Sequence, residues 1–477
     1  MKNVFKNLGI YTGSLYVIAA SYFMYQLLRL QILKTGYVVA VILGAVIVAI
    51  ALFAMLFVKK AKRAVKITGN SLAVLFVVIF FLGGFGFYVT NSLIQNITEQ
   101  SVENKDISLI VLKENEIKTV KDIQDKHALG YQTRCYPEGV DKMLNSLKDE
   151  RGSENPTKKF DSINEMVKGL YDKKVPIIIF DEAYRHVLEE EYPTFAKDTR
   201  VVYTINYPEK EKSFAKEVDI SEDSFVVLIS GIDTYGGIKK VSRSDVNILA
   251  VVNPKKAKIL LISIPRDYYV PIVSGGSSIG RTDGQYDKLT HTGLFGPRCT
   301  VSTLEEVFDI PIHYYVRVNF TSVVDIVNAI GGITVQSDYA FDGFVVGENA
   351  CNGERALKFS RERYAFVDGD RQRGKNQMEV IKAIVNKLSN PTLEYDYFQL
   401  FQTLSNCVET NISDKDVKKL IQFQINNMPA WSVETTSVDG SDGKDYSYYS
   451  GQNLYVMYPN QESIDAAIEK IRSVYFD

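Results

Sequence analysis

Three apolar blocks crowd the first ninety or so residues, about Ile10 to Leu28, Tyr37 to Val58 and Leu72 to Thr90. Each is near the length that crosses the hydrocarbon of a bilayer, where a helix satisfies all its backbone polar groups internally. A cleaved signal peptide has one short apolar region and a small-residue cleavage site, so residues 1–92 are expected to be a retained anchor of three transmembrane helices. Between the second and third blocks lie Lys59, Lys60, Lys62, Arg63 and Lys66, whereas the first connection carries only Arg29 and Lys34. Positive charge resists translocation, which assigns the richer loop to the cytoplasm together with the N-terminus and its Lys2 and Lys6. Everything after Thr90 is then expected on the outer face.

The remaining chain is long enough for two further folded units. A formal charge of -2 gives no overall field to attract nucleic acid, so an anion site must come from local clustering of Arg and Lys. Cys135, Cys299, Cys351 and Cys407 are too few and too widely spaced for a zinc ribbon or a disulfide-dense fold. Burial is the plain role for each; outside the cell, a Cys299 to Cys351 bridge would fall within one domain.

An α/β alternation starts after the anchor. Ile107 to Leu112 and Val175 to Phe180 are continuous apolar runs of strand type, and Ser162 to Tyr171 has helical spacing at Ile163, Met166, Val167 and Leu170. Residues 93–215 are therefore an accessory α/β domain, loosely similar to one lobe of a periplasmic solute-binding protein and suited to a spacer or interaction role. From 216 to 477 the pattern predicts a larger α/β domain. Its strands are Phe225 to Ser230, Asn247 to Val252, Lys258 to Ile264 and Tyr314 to Val318, with helices at Thr303 to Phe308, Ser322 to Ile330, Gly353 to Arg363 and Arg373 to Leu388. The tail from Pro391 onward is expected to belong to the same domain.

Three segments place charge at strand ends, where α/β folds form their sites. Asp233 follows the first strand, Arg243 and Asp245 precede the second, and Arg266 and Asp267 follow the third. Two carboxylates and two arginines that converge suit a divalent cation and a phosphate, since hard oxygen ligands hold magnesium or manganese while substrate phosphates complete the shell. A fourth segment, "ALKFSRERYAFVDGDRQRGKNQMEVI", gathers Arg361, Arg363, Asp370, Arg371, Arg373, Lys375 and Gln377. Several guanidinium forks suit a pyrophosphate; the alternative is a solvated helix face laced with ion pairs. His291 is a further candidate for substrate contact, although a lone histidine is more often a satisfied structural group.

The ordered motifs "SGID", "RSDVNIL", "SIPRD", "YYVRVNF", "NAIGGITV", "NGERALKFSRER" and "GDRQRGKNQ", over roughly 224–390, resemble the LytR–CpsA–Psr family. The three-span anchor and accessory domain are most similar to its streptococcal capsule members. The resemblance implies a mixed central sheet and a metal-dependent phosphotransferase on the outside of a bacterial plasma membrane. It would move a glycopolymer, capsular polysaccharide in those members, from a polyprenyl-pyrophosphate carrier to peptidoglycan, with an accessory pyrophosphatase activity and capsule assembly proteins as further expectations. It places Asp233 and Asp245 at Mg2+ or Mn2+, and Arg243, Arg266, Arg361, Arg363, Arg373 and Gln377 around the pyrophosphate. Asp370 and Asp267 are the candidate general bases. A surface protein that binds or senses the lipid pyrophosphate without transferring it would carry the same motifs. After "DKLTH" the chain reads "TGLFGPRC" in place of an alanine and paired glycines, so this loop departs from the family pattern.

Overall fold

Long apolar strands buried on both faces need helices on both sides, and the chain supplies them. The computed structural model describes residues 2–58, 61–98, 102–134, 137–210, 213–232, 242–277, 279–389 and 397–476. They fall into two compact units: one takes in 1–99, 396–405 and 413–429, the other 100–395, 406–412 and 430–477.

The first unit is built on α1 (Lys2–Leu30), α2 (Thr35–Phe57) and α3 (Arg63–Thr98). By length and apolarity two of these, α2 and α3, can cross a membrane, against the three expected. The difference has a plain cause: α1 carries Tyr11, Thr12, Ser14, Tyr16, Ser21, Tyr22, Tyr25 and Gln26 among its apolar residues. Thr12 and Tyr16 turn inward, with Thr12 Oγ1 donating to Asn70 Oδ1 at 2.7 Å and the Tyr16 hydroxyl to the Ala45 carbonyl at 2.8 Å. Its exposed face mixes apolar Leu15, Val17 and Ile18 with Tyr11, Ser14, Ser21 and Tyr25. Thr12 meets Asn70 and Tyr22 packs on Gly84, so α1 and α3 run side by side in the same direction.

In the second unit the segment 102–210 forms a five-stranded sheet from β1 (Val102–Leu112), β2 (Leu129–Gln132), β3 (Thr157–Phe160), β4 (Ile177–Asp181) and β5 (Thr199–Lys210), in the order β3-β2-β4-β1-β5. Helices α4 (Pro137–Arg151), α5 (Ile163–Tyr171), α6 (Arg185–Glu191) and α7 (Phe195–Asp198) accompany it. Ser162 caps α5 by accepting from the Glu165 amide. This sheet does not keep its core to itself. Ile163, Val167, Phe180, Tyr184 and Phe195 share one buried cluster with Ile272, Leu294, Phe295, Cys299 and Tyr449.

The central sheet is mixed, as the family resemblance implies. It contains β6 (Phe225–Ile232), β7 (Val246–Asn253), β8 (Lys258–Ile264), β11 (Tyr314–Asn319), β14 (Glu409–Thr410) and β15 (Ser432–Ser437), ordered β14-β11-β6-β7-β8-β15. Two-stranded ribbons pair β9 (Tyr269–Pro271) with β10 (Tyr286–Lys288), β12 (Ile333–Ser337) with β13 (Gly347–Cys351), and β16 (Gly440–Ser447) with β17 (Gln452–Pro459). One face of the central sheet, with Leu260, Ile262 and Ile264, buries Val301, Leu304 and Phe308 of α8 (Pro297–Phe308) and Ile464, Ala467 and Ile471 of α14 (Gln461–Tyr475). The opposite face carries α11 (Asp370–Ser389), which approaches so closely that a Cβ on Gly374 would meet Ser263 Oγ at 2.6 Å. Asn319 and Asn352 cap α9 (Phe320–Ala329) and α10 (Gly353–Arg361).

One expectation changes here, and among the described cysteines the expected burial holds. The tail is divided: most of α12 (Tyr397–Cys407) and α13 (Asp414–Asn427) group with the anchor, while β15, β16, β17 and α14 complete the second unit. Leu30, Ile32 and Ile94 pack with Phe401, Val417 and Ile421, a tertiary contact that local periodicity does not encode. Cys299, Cys351 and Cys407 are buried free thiols, so no Cys299–Cys351 bridge forms. Cys135 lies outside the described residues.

Candidate functional site

Strand direction gathers the charged residues. β6 runs parallel to β11, β7 antiparallel to both β6 and β8, and β8 parallel to β15. The C-terminal ends of β6, β8, β11 and β15 therefore share one sheet edge with the start of β7. Arg243 and Asp245 precede β7, Arg266 and Asp267 follow β8, and α11 begins against Ser263 with Asp370 and Arg373.

At this edge Asp245 is buried. Its Oδ1 lies 2.6 Å from Arg266 Nη1 and accepts from Thr290 Oγ1 at 3.2 Å, while Arg243 Nε stands 3.7 Å from Oδ2. Burial opposes the charge, but the two guanidinium groups and the hydrogen bonds outweigh it and hold the carboxyl below the usual carboxylate range. Oδ2 itself has no hydrogen-bond partner. Burial alone would lower Arg266, yet Asp245 and Asp267, with Asp370 behind them, raise it overall.

Arg373 pairs with Asp370 at 2.5 Å, one helical turn apart. Burial, together with the nearby positive charges of Arg266 and Arg363, lowers its pKa despite Asp370 and Asp245. Asp267 is held by Lys288 and lies 3.7 Å from Arg266 Nε. The arginines at 243, 266 and 373 and Lys288 thus face the carboxylates Asp245, Asp267 and Asp370, with Arg363 close enough to Arg373 to repel it, an excess of positive charge that invites an anion.

Other predicted residues make different contacts. The Arg361 guanidinium lies 4.1 Å from the ring centroid of Phe320, at the end of β11. Arg363 donates to the Tyr364 hydroxyl at 2.5 Å. Gln377 follows Arg373 by one turn on the same face of α11. Arg371 turns away, pairing with Asp439 at 2.6 Å and donating to the Gly440 carbonyl. Asp233 lies outside the described residues.

Thr290 is the residue that motif reading passed over. Its amide donates to the Arg266 carbonyl at 2.8 Å, its carbonyl accepts from the Ser244 amide at 3.0 Å, and its hydroxyl serves Asp245. It therefore ties both strand-end segments to the carboxylate. Gly293 permits this closure, because a Cβ there would sit 2.3 Å from the Ser244 nitrogen. Ser244 is fixed in turn by Ser230 and Asn247, each at 2.7 Å. The signal was present in "DKLTH", where the histidine drew attention instead. His291 is structural: its Nδ1 is 2.7 Å from Asp287, a fully buried carboxylate that also accepts from Ser447 Oγ and the Tyr449 amide.

The model of the LytR_cpsA_psr family matches residues 194–472, more than half of the chain. The chain belongs to this family. Among its relatives is the Bacillus subtilis (strain 168) polyisoprenyl-teichoic acid--peptidoglycan teichoic acid transferase TagU, 39% identical over 211 residues, which span 43% of this chain and 66% of that protein. The match therefore falls just short of two thirds of the relative's length. TagT of the same organism, a protein with the same descriptive name, is 35% identical over 274 residues, covering 54% of this chain and 79% of TagT. The crystal structure of B. subtilis TagT superimposes with a TM-score of 0.42 at 31% identity, covering 55% of this chain and 95% of that one. The LytR_cpsA_psr match begins inside the five-stranded sheet, at α7 and β5, and runs to α14.

Proposed function

We propose that this chain transfers a glycopolymer from a polyprenyl-pyrophosphate carrier to peptidoglycan. The observation that carries the reading is the sheet-edge cluster in which arginines and Lys288 outnumber carboxylates, with Asp245 kept ionised among them. Membership of the family and the names of TagU and TagT support the same reaction class.

In this reading Arg243, Arg266, Arg363 and Arg373 bind the pyrophosphate oxygens and fix the glycan-bearing phosphorus, with Arg361 and Gln377 extending the cradle. A hydroxyl of the acceptor attacks that phosphorus, the bridging P–O bond breaks, and polyprenyl phosphate leaves with the bonding electrons. The hydroxyl proton passes to Asp370, which is more exposed than Asp267 and is not locked to Lys288. Positioning and charge neutralisation supply most of the acceleration.

Asp245 Oδ2, which accepts no hydrogen bond and has the Arg243 guanidinium at 3.7 Å, would fit a divalent cation together with substrate phosphate, and Asp233 is the second donor that motif order suggests. Mg2+ or Mn2+ held there would draw off charge from the phosphate oxygens. The cargo is taken as capsular polysaccharide from the resemblance, whereas the named relatives carry teichoic acid.

The same reading has three spans. α1 lies parallel to α3 with Thr12 and Tyr16 bonded inward and Leu15, Val17 and Ile18 outward, which supports a lipid setting, and the basic connection before α3 supports a cytoplasmic N-terminus. The sheets then face the wall precursors.

The test is incubation of the purified full chain with a polyprenyl-pyrophosphate glycan, peptidoglycan and magnesium, using capsular and teichoic cargo in separate arms. Wild type should form product and Asp245→Ala and Arg361→Ala far less. Equal product from all three would sink the site assignment; binding without product in wild type would leave a lipid-pyrophosphate sensor.

A further inference from the structure

The helix α13 carries an apolar stripe that the anchor covers only in part. Val417 and Ile421, one turn apart, pack with Leu30, Ile32 and Ile94. Ile425 continues the same face at helical spacing and Met428 follows as the helix's C-cap, yet they are 38% and 68% exposed. Phe398 on α12 is likewise exposed.

The level of this uncovered half is fixed by one contact. Lys34 Nζ donates to the Asn426 carbonyl at 3.0 Å, where a cation meets the unsatisfied carbonyls of a helix C-terminus. Lys34 immediately precedes α2, whose outward Tyr37, Val39 and Val41 follow within two turns. If α2 enters hydrocarbon at its first turn, a lysine at that position sits in the headgroup layer, and so does the last turn of α13. We infer that α13 is an interfacial helix whose C-terminal turn, with Ile425 and Met428, inserts into the outer leaflet. Its occupant is therefore the bilayer itself, because the exposed stripe is continuous with the exposed apolar surface of the anchor. The inference rests on the reading that α2 and α3 span the membrane, and it adds a further contact with lipid formed by residues some 330 positions further along the sequence.

The chain has a single tryptophan, Trp431. In a Trp431→Phe background of the full chain, a tryptophan is introduced by Met428→Trp, by Ile425→Trp as a second reporter, or by Val46→Trp in the middle of α2. Each protein is reconstituted, one copy per nanodisc, in phosphatidylcholine and phosphatidylglycerol brominated either near the carbonyl or near the methyl end of the acyl chain. Met428→Trp and Ile425→Trp should show blue-shifted emission, strong quenching by the carbonyl-end bromines and little by acrylamide. Val46→Trp should be quenched most by the methyl-end bromines. Acrylamide quenching of both α13 reporters without bromine quenching, while Val46→Trp is quenched, overturns the interfacial helix and leaves the anchor standing. Loss of quenching at Val46 as well overturns both. Protection of the α13 reporters from both quenchers means a protein partner covers the stripe, and also overturns the inference.

Discussion

Two aspartates at strand ends in the same unit have opposite fates. Asp181 closes β4 of the five-stranded sheet, and burial, helped by Glu182 and Asp106, pushes its pKa up to about 7 despite the Ala183 amide and Lys105. Asp245 immediately precedes β7 of the central sheet, and although it is the less solvent-exposed of the two, Arg243, Arg266 and Thr290 overcome that burial and pull it down. Burial alone therefore does not mark a functional carboxylate. What separates the two is the convergence of arginines, which only the strand directions of the central sheet provide.

Removing that convergence should produce the largest effect. Arg266→Ala is expected to cut transfer by about 10³-fold and to destabilise the unit by about 3 kcal/mol, because it strands a buried charge. Carrier turnover and thermal unfolding check the two parts, and Arg266→Lys should recover stability more than activity, since an ammonium lacks the guanidinium fork. Asp245→Asn should follow, with a loss of about 10²-fold in transfer and a weakened response to magnesium. Unchanged turnover in a magnesium titration would remove Asp245 from the metal.

The pH dependences should diverge next. Asp245 has a depressed folded pKa, so its stabilisation is present above the unfolded value of about 3.9 and is lost as pH falls through the folded value. The stability difference between wild type and Asp245→Asn should be flat above that pH and shrink below it. Asp181 runs the other way: its carboxyl is ionised in the unfolded chain above about 3.9 but protonated in the fold until about 7, so wild-type stability falls as pH rises across that window. Asp181→Asn should therefore slow hydrogen exchange of β4 by about 1 to 2 kcal/mol above pH 7 and by almost nothing at pH 4, with transfer unchanged. An equal effect at both pH values would mean that Asp181 is already paired.

Much of this was legible because local pattern carries it. Apolar runs located β6, β7, β8 and β11, and cap residues such as Asn319 and Asn352 mark where α9 and α10 begin. The site arginines and Asp245 were visible as charge beside those runs. Thr290 was not, because its role depends on backbone bonds to residues 244 and 266 that only the folded edge creates. The return of α13 to the anchor was hidden for the same reason: its helical period says that one face is buried, not against what.

The core shared between the two sheets limits how the protein can be cut. The rings of Tyr184 and Tyr449 pack at a tilt with centroids 4.6 Å apart, and Arg134 lies 4.4 Å over the ring of Tyr448 while bonding Asp161. A fragment trimmed to begin at Ser224 would bare Ile272, Leu294, Phe295 and Tyr449 to water, although it keeps every arginine of the site. The five-stranded sheet acts in this chain as one wall of the central sheet's own interior, and a fragment meant for crystallisation or assay has to start before Val102.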